Sequence, residues 1–284
     1  MAVRARQSVP FAVSVLLCAC ATGPSSPPAA PAPPRDAATA AAIEHVLAGE
    51  HRSTGNRERD AFRHPVDTLL FFGLKPDMTV VEVWPGSGGW YTEVLAPVLR
   101  EHGQLYAAGP PPQPGNEFVS AGIKSFQDKL AARPDLYDKV QVTTLGPGAY
   151  AAAPPGSADL VVTFRNIHNW MNLGFAKDAF VEMYRVLKPG GILGVVEHRG
   201  NADKPQDPRA ATGYVNEQYA IDLITSTGFV LEARSEINAN PKDTRDWPQG
   251  VWTLPPNYRL GERDRAKYRD IGESDRFTLR FRKP

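Results

Sequence analysis

The eleven residues from Thr79 to Gly89 constrain this chain more than any other stretch. Thr79-Val80-Val81-Glu82-Val83 is a β-branched run, Trp84-Pro85-Gly86-Ser87-Gly88-Gly89 is a turn, and Val94, Leu95, Val98 and Leu99 then fall at helical spacing. β-branched side chains favour a buried strand, and glycines let the backbone turn sharply and come close to a ligand. A strand, a glycine turn and a helix in that order place a ligand site at the carboxyl edge of an α/β sheet. The turn does not fit the common nucleotide motifs. Tyr91 stands where a dinucleotide fingerprint needs its third glycine, and no Gly-Lys-Ser/Thr follows to make a phosphate loop. Gly86-Ser87-Gly88 is also not a serine nucleophile elbow, because Pro85 lies two residues before Ser87.

Strand and helix signals alternate through the rest of the chain. Residues 104–108, 140–145, 159–164, 192–197, 229–234 and 277–282 read as strands. Ile123, Phe126 and Leu130 mark one helix face, and Phe180, Met183, Tyr184 and Leu187 mark another. Residues 216–227 read as a helix stopped by Gly228. Repeated β-α units predict an α/β sheet with helices on both faces. Residues 238–274 are polar and rich in Pro, Asp and Arg, and are expected to wrap the surface, with Trp247 and Trp252 either over a cleft or against the domain's side. The charged mixture from Arg259 to Arg276 reads as a solvated face.

The amino terminus reads as an address. Arg4 and Arg6 precede an apolar run over residues 10–17, too short to span a bilayer as a helix, and the pattern is that of a secretory signal over residues 1–19. Leu17-Cys18-Ala19-Cys20 resembles a bacterial lipobox, which implies lipid on Cys20. Residues 20–42 then form an Ala/Pro-rich tether, and a single globular domain is expected over residues 43–284. Both cysteines, Cys18 and Cys20, lie in this leader, so the globular part holds no disulfide. The expected location is the envelope, facing the periplasm and held to the membrane by the lipid. The formal net charge of +1 is balanced and gives no reason to expect a nucleic-acid partner.

The order of these landmarks resembles the class I S-adenosylmethionine (SAM)-dependent methyltransferases over residues 66–235. Glu82 with Gly86 and Gly88 matches that family's first strand and turn, Asp159-Leu160-Val161-Val162 followed by Asn166-Ile167-His168-Asn169-Trp170 its fourth strand and the loop after it, and Tyr184-Arg185-Val186-Leu187-Lys188-Pro189-Gly190-Gly191 its lead into strand five. A subgroup of predicted bacterial methyltransferases with exported amino termini is more similar still, sharing Arg63-His64-Pro65, Trp84-Pro85-Gly86 and Phe164-Arg165-Asn166. The resemblance implies a Rossmann-like, mostly parallel seven-stranded sheet, SAM as cofactor, and Glu82, Trp84, Pro85, Gly86, Ser87 and Gly88 around it. Two departures stand out. Trp84 replaces the family's first glycine, where an indole would stack on the ligand or occlude it. Residues 102–116 contain no acid to bind the ribose, Glu117 being the nearest.

Methyl transfer needs an acceptor side, expected from the loops after strands four and five. His168 is the first choice of general base, with Asn166 and Glu197 beside it, because imidazole titrates near neutral pH; a hydrogen-bonded packing role is the alternative. Arg63 and His64 could cap the cleft or simply end a helix. The six histidines include no H-x₃-H pair and no cysteine partner, so no metal site is expected. The function implied is methyl transfer from SAM to an unknown acceptor. The alternative is a non-catalytic envelope lipoprotein that uses the same fold to bind an adenosyl-like or other small ligand.

Overall fold

The structure, a computed structural model, describes residues 36–284 together with Met1. The expected signal peptide, Cys20 and most of the tether lie outside the described residues. The first described helix begins before the expected Ile43. The Asp36 carboxylate accepts from the backbone N–H groups of Ala38 and Thr39 and caps α1 (Ala37–Leu47). Residues 37–42, assigned to the tether on their Ala-rich composition, are therefore helical, as alanine's propensity favours once a cap is in place.

Two one-turn helices, α2 (Thr54–Arg57) and α3 (Asp60–Arg63), lead to α4 (Pro65–Phe71). The alternating region follows as β1 (Thr79–Val83), α5 (Thr92–Leu99), β2 (Gln104–Gly109), α6 (Glu117–Ala132), the short α7 (Pro134–Tyr137), β3 (Gln141–Gly146) and β4 (Ala149–Ala151). Next come β5 (Ala158–Phe164), α8 (Ile167–Leu173), α9 (Ala176–Val186), β6 (Leu187–His198), α10 (Glu217–Thr225) and β7 (Val230–Ser235). A single 3-10 turn (Gly250–Thr253), α11 (Arg265–Ile271) and β8 (Arg276–Arg282) close the chain.

The sheet has eight strands in the order β4-β3-β2-β1-β5-β6-β8-β7, not the seven expected. The extra strand is β4, which folds back antiparallel on β3 through a turn at Gly148. Three residues are too few to show an alternating pattern in the sequence. β3, β2, β1, β5 and β6 run parallel, and β8 runs antiparallel between β6 and β7. The strand order reverses at β1, which has β2 on one side and β5 on the other, so the crevice for a ligand opens at the carboxyl ends of these strands.

Alternating side chains serve two cores. Val81, Val83, Val161 and Val195 pack with Trp170 of α8, Phe180 and Met183 of α9 and Ile224 of α10 on one face. Val80, Leu105, Leu160 and Val162 pack with Ile43 of α1, Leu69 of α4, Phe72 just after it and Leu95 and Leu99 of α5 on the other. Helices thus cover both faces, as the β-α alternation predicts. Gly194 permits the second packing: a Cβ at that position would lie 2.5 Å from the Phe72 ring. Among the described residues, no helix is long and apolar enough to cross a membrane.

Candidate active site

The turn after β1 presents an open backbone. Trp84 takes a left-handed conformation (φ 51°) where its backbone N–H donates to the Ala108 carbonyl at 2.8 Å, and Gly86 follows with φ 74°. A Cβ built on Gly86, Gly88 or Gly109 would meet no atom within 4 Å, so the ends of β1 and β2 face open space together. The outer side of the turn is held by α6. Lys129 donates to the Gly88 carbonyl at 2.6 Å and pairs with Glu93.

Trp84 does not lie over these glycines. Its indole N–H donates to the Leu145 carbonyl at the end of β3 at 2.7 Å. The ring meets Trp170 edge-on at 6.0 Å and Phe175 at 5.9 Å. It extends the α8–α9 core rather than blocking the turn. Glu82, expected to face a ligand, is instead 1% exposed beneath the turn, because alternation along β1 sends it to the α5 side. Its Oε2 accepts from the Thr92 hydroxyl at 2.6 Å, and burial pushes its pKa up to about 7. Its place is a tie between strand and helix. Ser87 stays exposed, Pro85 is half-buried, and Glu117 begins α6.

A second cluster forms at the ends of β5 and β6. The segment after β5 is a helix, α8, and not a loop; Ile167, Trp170 and Met171 supply its buried face. The Asn166 amide donates to the Val83 carbonyl at 2.9 Å and to the Thr163 hydroxyl at 3.1 Å, which fixes the end of β5 to the end of β1. Glu197, fully buried at the end of β6, accepts from the backbone of Ile167 (2.6 Å), His168 (3.4 Å) and His198 (2.8 Å). Its Oε1 also lies 3.0 Å from His168 Nδ1. A proton on Nδ1 would satisfy that contact, and Nε2 makes no hydrogen bond to any described residue. His198 Nδ1 contacts the Ser274 hydroxyl at 2.5 Å, and burial, with His168, Arg165 and Arg276 nearby, holds His198 well below the ordinary imidazole range. The potential ligand atoms of His168, Glu197 and His198 lie within 4.8 Å of one another. The chemistry of this set is poor for a cation, since the Glu197 oxygens are taken by four N–H groups and guanidinium groups surround the site.

Those guanidinium groups belong to Arg59, Arg63, Arg165 and Arg276, which converge on the single carboxylate of Glu273 at 2.5, 3.6, 3.8 and 3.1 Å. The four cations keep Glu273 ionised well below the usual carboxylate range despite its burial. Arg165 sits in a left-handed conformation (φ 61°) immediately after β5. A cavity of about 170 Å³ opens beside this cluster, walled by Arg59, Arg165, His168, His198, Trp252 and Ser274. Trp252 therefore packs over a cleft, with the Arg259 guanidinium 4.6 Å from its ring.

Of the residues singled out in the sequence, His168, Asn166 and Glu197 come together here, and Gly86, Ser87 and Gly88 form the open turn. Arg63 does not cap the cleft from outside; it is buried under the cluster, stacked 4.5 Å from the Trp90 ring. Arg59, Glu273, Ser274 and Arg276 were not singled out. The expectation of a solvated face up to Arg276 fails at its end, where residues 273–276 are each 4% exposed or less. A polar run abutting the alternation of the last strand was the available signal.

Comparison with known proteins is consistent with this geometry. Residues 120–195 match the family model for a methyltransferase domain. No curated protein matches the chain. A SAM-dependent methyltransferase from Aquifex aeolicus superposes with a TM-score of 0.54 at 17% identity, covering 86% of this chain and 98% of that one. The [4+2]-cyclase SpnF superposes with a TM-score of 0.53 at 18% identity over 84% and 85% of the two chains. Geranyl diphosphate C-methyltransferase from Streptomyces coelicolor A3(2) gives 0.50 at 14% identity over 84% and 88%. These likenesses establish the fold, which hosts more than one chemistry. The chain has the Rossmann-like fold of the class I methyltransferases and carries a methyltransferase domain match over residues 120–195.

Proposed function

We propose that the protein is a SAM-dependent methyltransferase whose acceptor binds in the cavity beside Arg165 and His168. The observation that carries this reading is the shared edge of the two sites. The open turn of Gly86 and Gly88 ends β1, the cavity lies at the ends of β5 and β6, and the Asn166 amide joins them through the Val83 carbonyl.

The turn fits SAM, because exposed backbone at Gly86, Ser87, Gly88 and Gly109 has room for a ligand with no side chain in the way. When bound, SAM supplies an electrophilic methyl group on a sulfonium. The chain's own part is to hold two reactants in line and to take a proton from the acceptor where needed. Asn166 keeps the turn and the cavity in register. His168 Nε2 accepts the proton, and Glu197 holds the ring by Nδ1 and stabilises the imidazolium that forms.

The place of action is the outer side of a membrane, with the chain held by lipid on Cys20 and facing the periplasm. Support comes from Arg4, Arg6, the short apolar run and Leu17-Cys18-Ala19-Cys20. Globomycin is expected to block processing of the precursor, and unchanged processing refutes the lipid anchor. Titration of the purified full chain with SAM and S-adenosylhomocysteine, followed by tryptophan emission, tests the cofactor. Saturable binding that disappears in Gly86→Arg is expected. Binding without labelled-methyl transfer to any fraction of an envelope extract would leave a binding protein and overturn the enzyme.

A further inference from the structure

The polar groups around Glu273 do not balance. Four arginines share this one carboxylate, and neither Arg59, Arg63, Arg165 nor Arg276 pairs with a second acid among the described residues. The neighbouring acids are committed elsewhere. Asp275 pairs with Arg199 and Arg245, and Asp60 pairs with Arg52. Nδ1 of the buried His168 faces Glu197, whose oxygens already accept four bonds. Four guanidinium groups stand against two carboxylates, Glu273 and Glu197, a formal excess of two positive charges in a largely desolvated space.

Burying guanidinium N–H groups without hydrogen bonds is costly, and Arg63 carries two of them. It is 2% exposed, and its Nε and Nη1 have no hydrogen-bond partner. Arg165 is also held below its ordinary range, at about 10, by burial and by the arginines beside it. Its guanidinium makes no hydrogen bond to any described residue, its only contact with an acid being Glu273 at 3.8 Å. A non-glycine residue in the left-handed region costs of order 1 kcal/mol, and such strain collects where a side chain has to be delivered to a site. Here it brings Arg165 to the cavity wall.

The wall itself has the make-up of an oxyanion site. Arg59 and Arg165 reach it with side chains 25% and 21% exposed, backed by the buried Arg63 and Arg276. Asn257 and one member of the hydrogen-bonded Ser274–His198 pair add neutral donors, and Trp252 closes one side with an aromatic face. Planar guanidinium forks match the oxygen geometry of carboxylate and phosphate groups. A monoanion would offset one of these two excess charges and a dianion both, so a dianion fits best.

We infer that this cavity binds a phosphate-type oxyanion, and that the methyl acceptor is a phosphate-bearing small molecule anchored by Arg59 and Arg165. The statement about the acceptor rests on the methyltransferase reading above; the anion site itself does not. Inorganic phosphate is the probe. Heating the full chain at constant ionic strength in phosphate, acetate or chloride is expected to show saturable stabilisation by phosphate, weaker stabilisation by acetate and none by chloride. Affinity for phosphate is expected to fall at least tenfold in Arg165→Gln and by less in Arg165→Lys, which keeps the charge and loses the fork. Arg59→Gln, at the more exposed end of the cluster, repeats the test should Arg165→Gln fail to fold. Equal stabilisation by phosphate and chloride overturns the inference, as does unchanged phosphate affinity in both glutamine variants. The emission titration with SAM separates the two readings. SAM binding without phosphate binding overturns the anion site alone. Phosphate binding without SAM binding upholds the anion site and overturns methyl transfer.

Discussion

Replacing Glu82 by glutamine tests how the turn is built. Glu82 is 1% exposed, accepts a 2.6 Å hydrogen bond from Thr92, and has its pKa raised from 4.5 to about 7 by burial. Below about pH 4.5 the carboxyl is protonated whether the chain is folded or not. Between that point and about pH 7 the folded protein keeps a proton that the unfolded chain has released, so stability falls as pH rises; above about pH 7 the loss is complete. At about 1.4 kcal/mol per pH unit, the whole loss is about 3 kcal/mol. Glutamine preserves the acceptor for Thr92 and carries no charge. Glu82→Gln should therefore match the wild type near the lower limit and be the more stable protein by up to about 3 kcal/mol at pH 8, the difference growing only within that window. Urea unfolding followed by tryptophan emission, at several pH values and with both proteins, reads the difference directly and cancels every other titrating group. Parallel stability curves across the window would show that Glu82 is ionised and solvated in the folded protein, contrary to its placement under the turn.

Two further substitutions probe the acceptor side and the core. His168→Ala should lower methyl transfer by a factor of about 10²–10⁴, the usual contribution of a general base, with SAM affinity unchanged in the emission titration; turnover within a factor of two of wild type removes His168 from the chemistry. Gly194→Ala should cost about 1–3 kcal/mol in urea unfolding, because the added Cβ meets the Phe72 ring at 2.5 Å on the face of β6 under α4. A neutral result there would mean that α4 shifts freely off the sheet.

What the sequence made legible was whatever is written locally. Val80 to Val83 and residues 160–164 are strands buried on both faces and rich in valine, and such strands in a parallel sheet are recognisable as such. The stripe of Phe180 and Met183 is core, with both side chains buried in α9. Helical spacing of Ile167, Trp170 and Met171 was present too, but seven residues after a strand are easily taken for a loop. The start of α1 was hidden because alanines serve a tether and a helix equally, and only Asp36 decides between them. The candidate site was legible in part. Asn166 and His168 follow β5 directly and Glu197 stands at the end of β6, where α/β folds place chemistry. Glu273 stands 214 residues from Arg59, and nothing in either local sequence reports that they meet. Glu82 shows a different limit: its position in the motif was plain, but the side of the strand it faces depends on which helix covers that side.

The placement of β8 bears on the order in which the molecule can be assembled. This strand is the last element in the chain, and it lies between β6 and β7 with seven residue pairs to the former. Glu273, Ser274 and Arg276 stand at its entrance. During vectorial emergence, from a ribosome or through a translocation pore, every earlier strand can be released while the cavity still lacks its carboxylate and one of its arginines. The open edges of β6 and β7 have no partner during that interval, and unpaired edges recruit other chains. The glycine turn can form early from local contacts, whereas the cavity is complete only once residues 273–276 have emerged. Nascent chains arrested before residue 273 should accordingly be captured by holdase chaperones that ignore the finished protein.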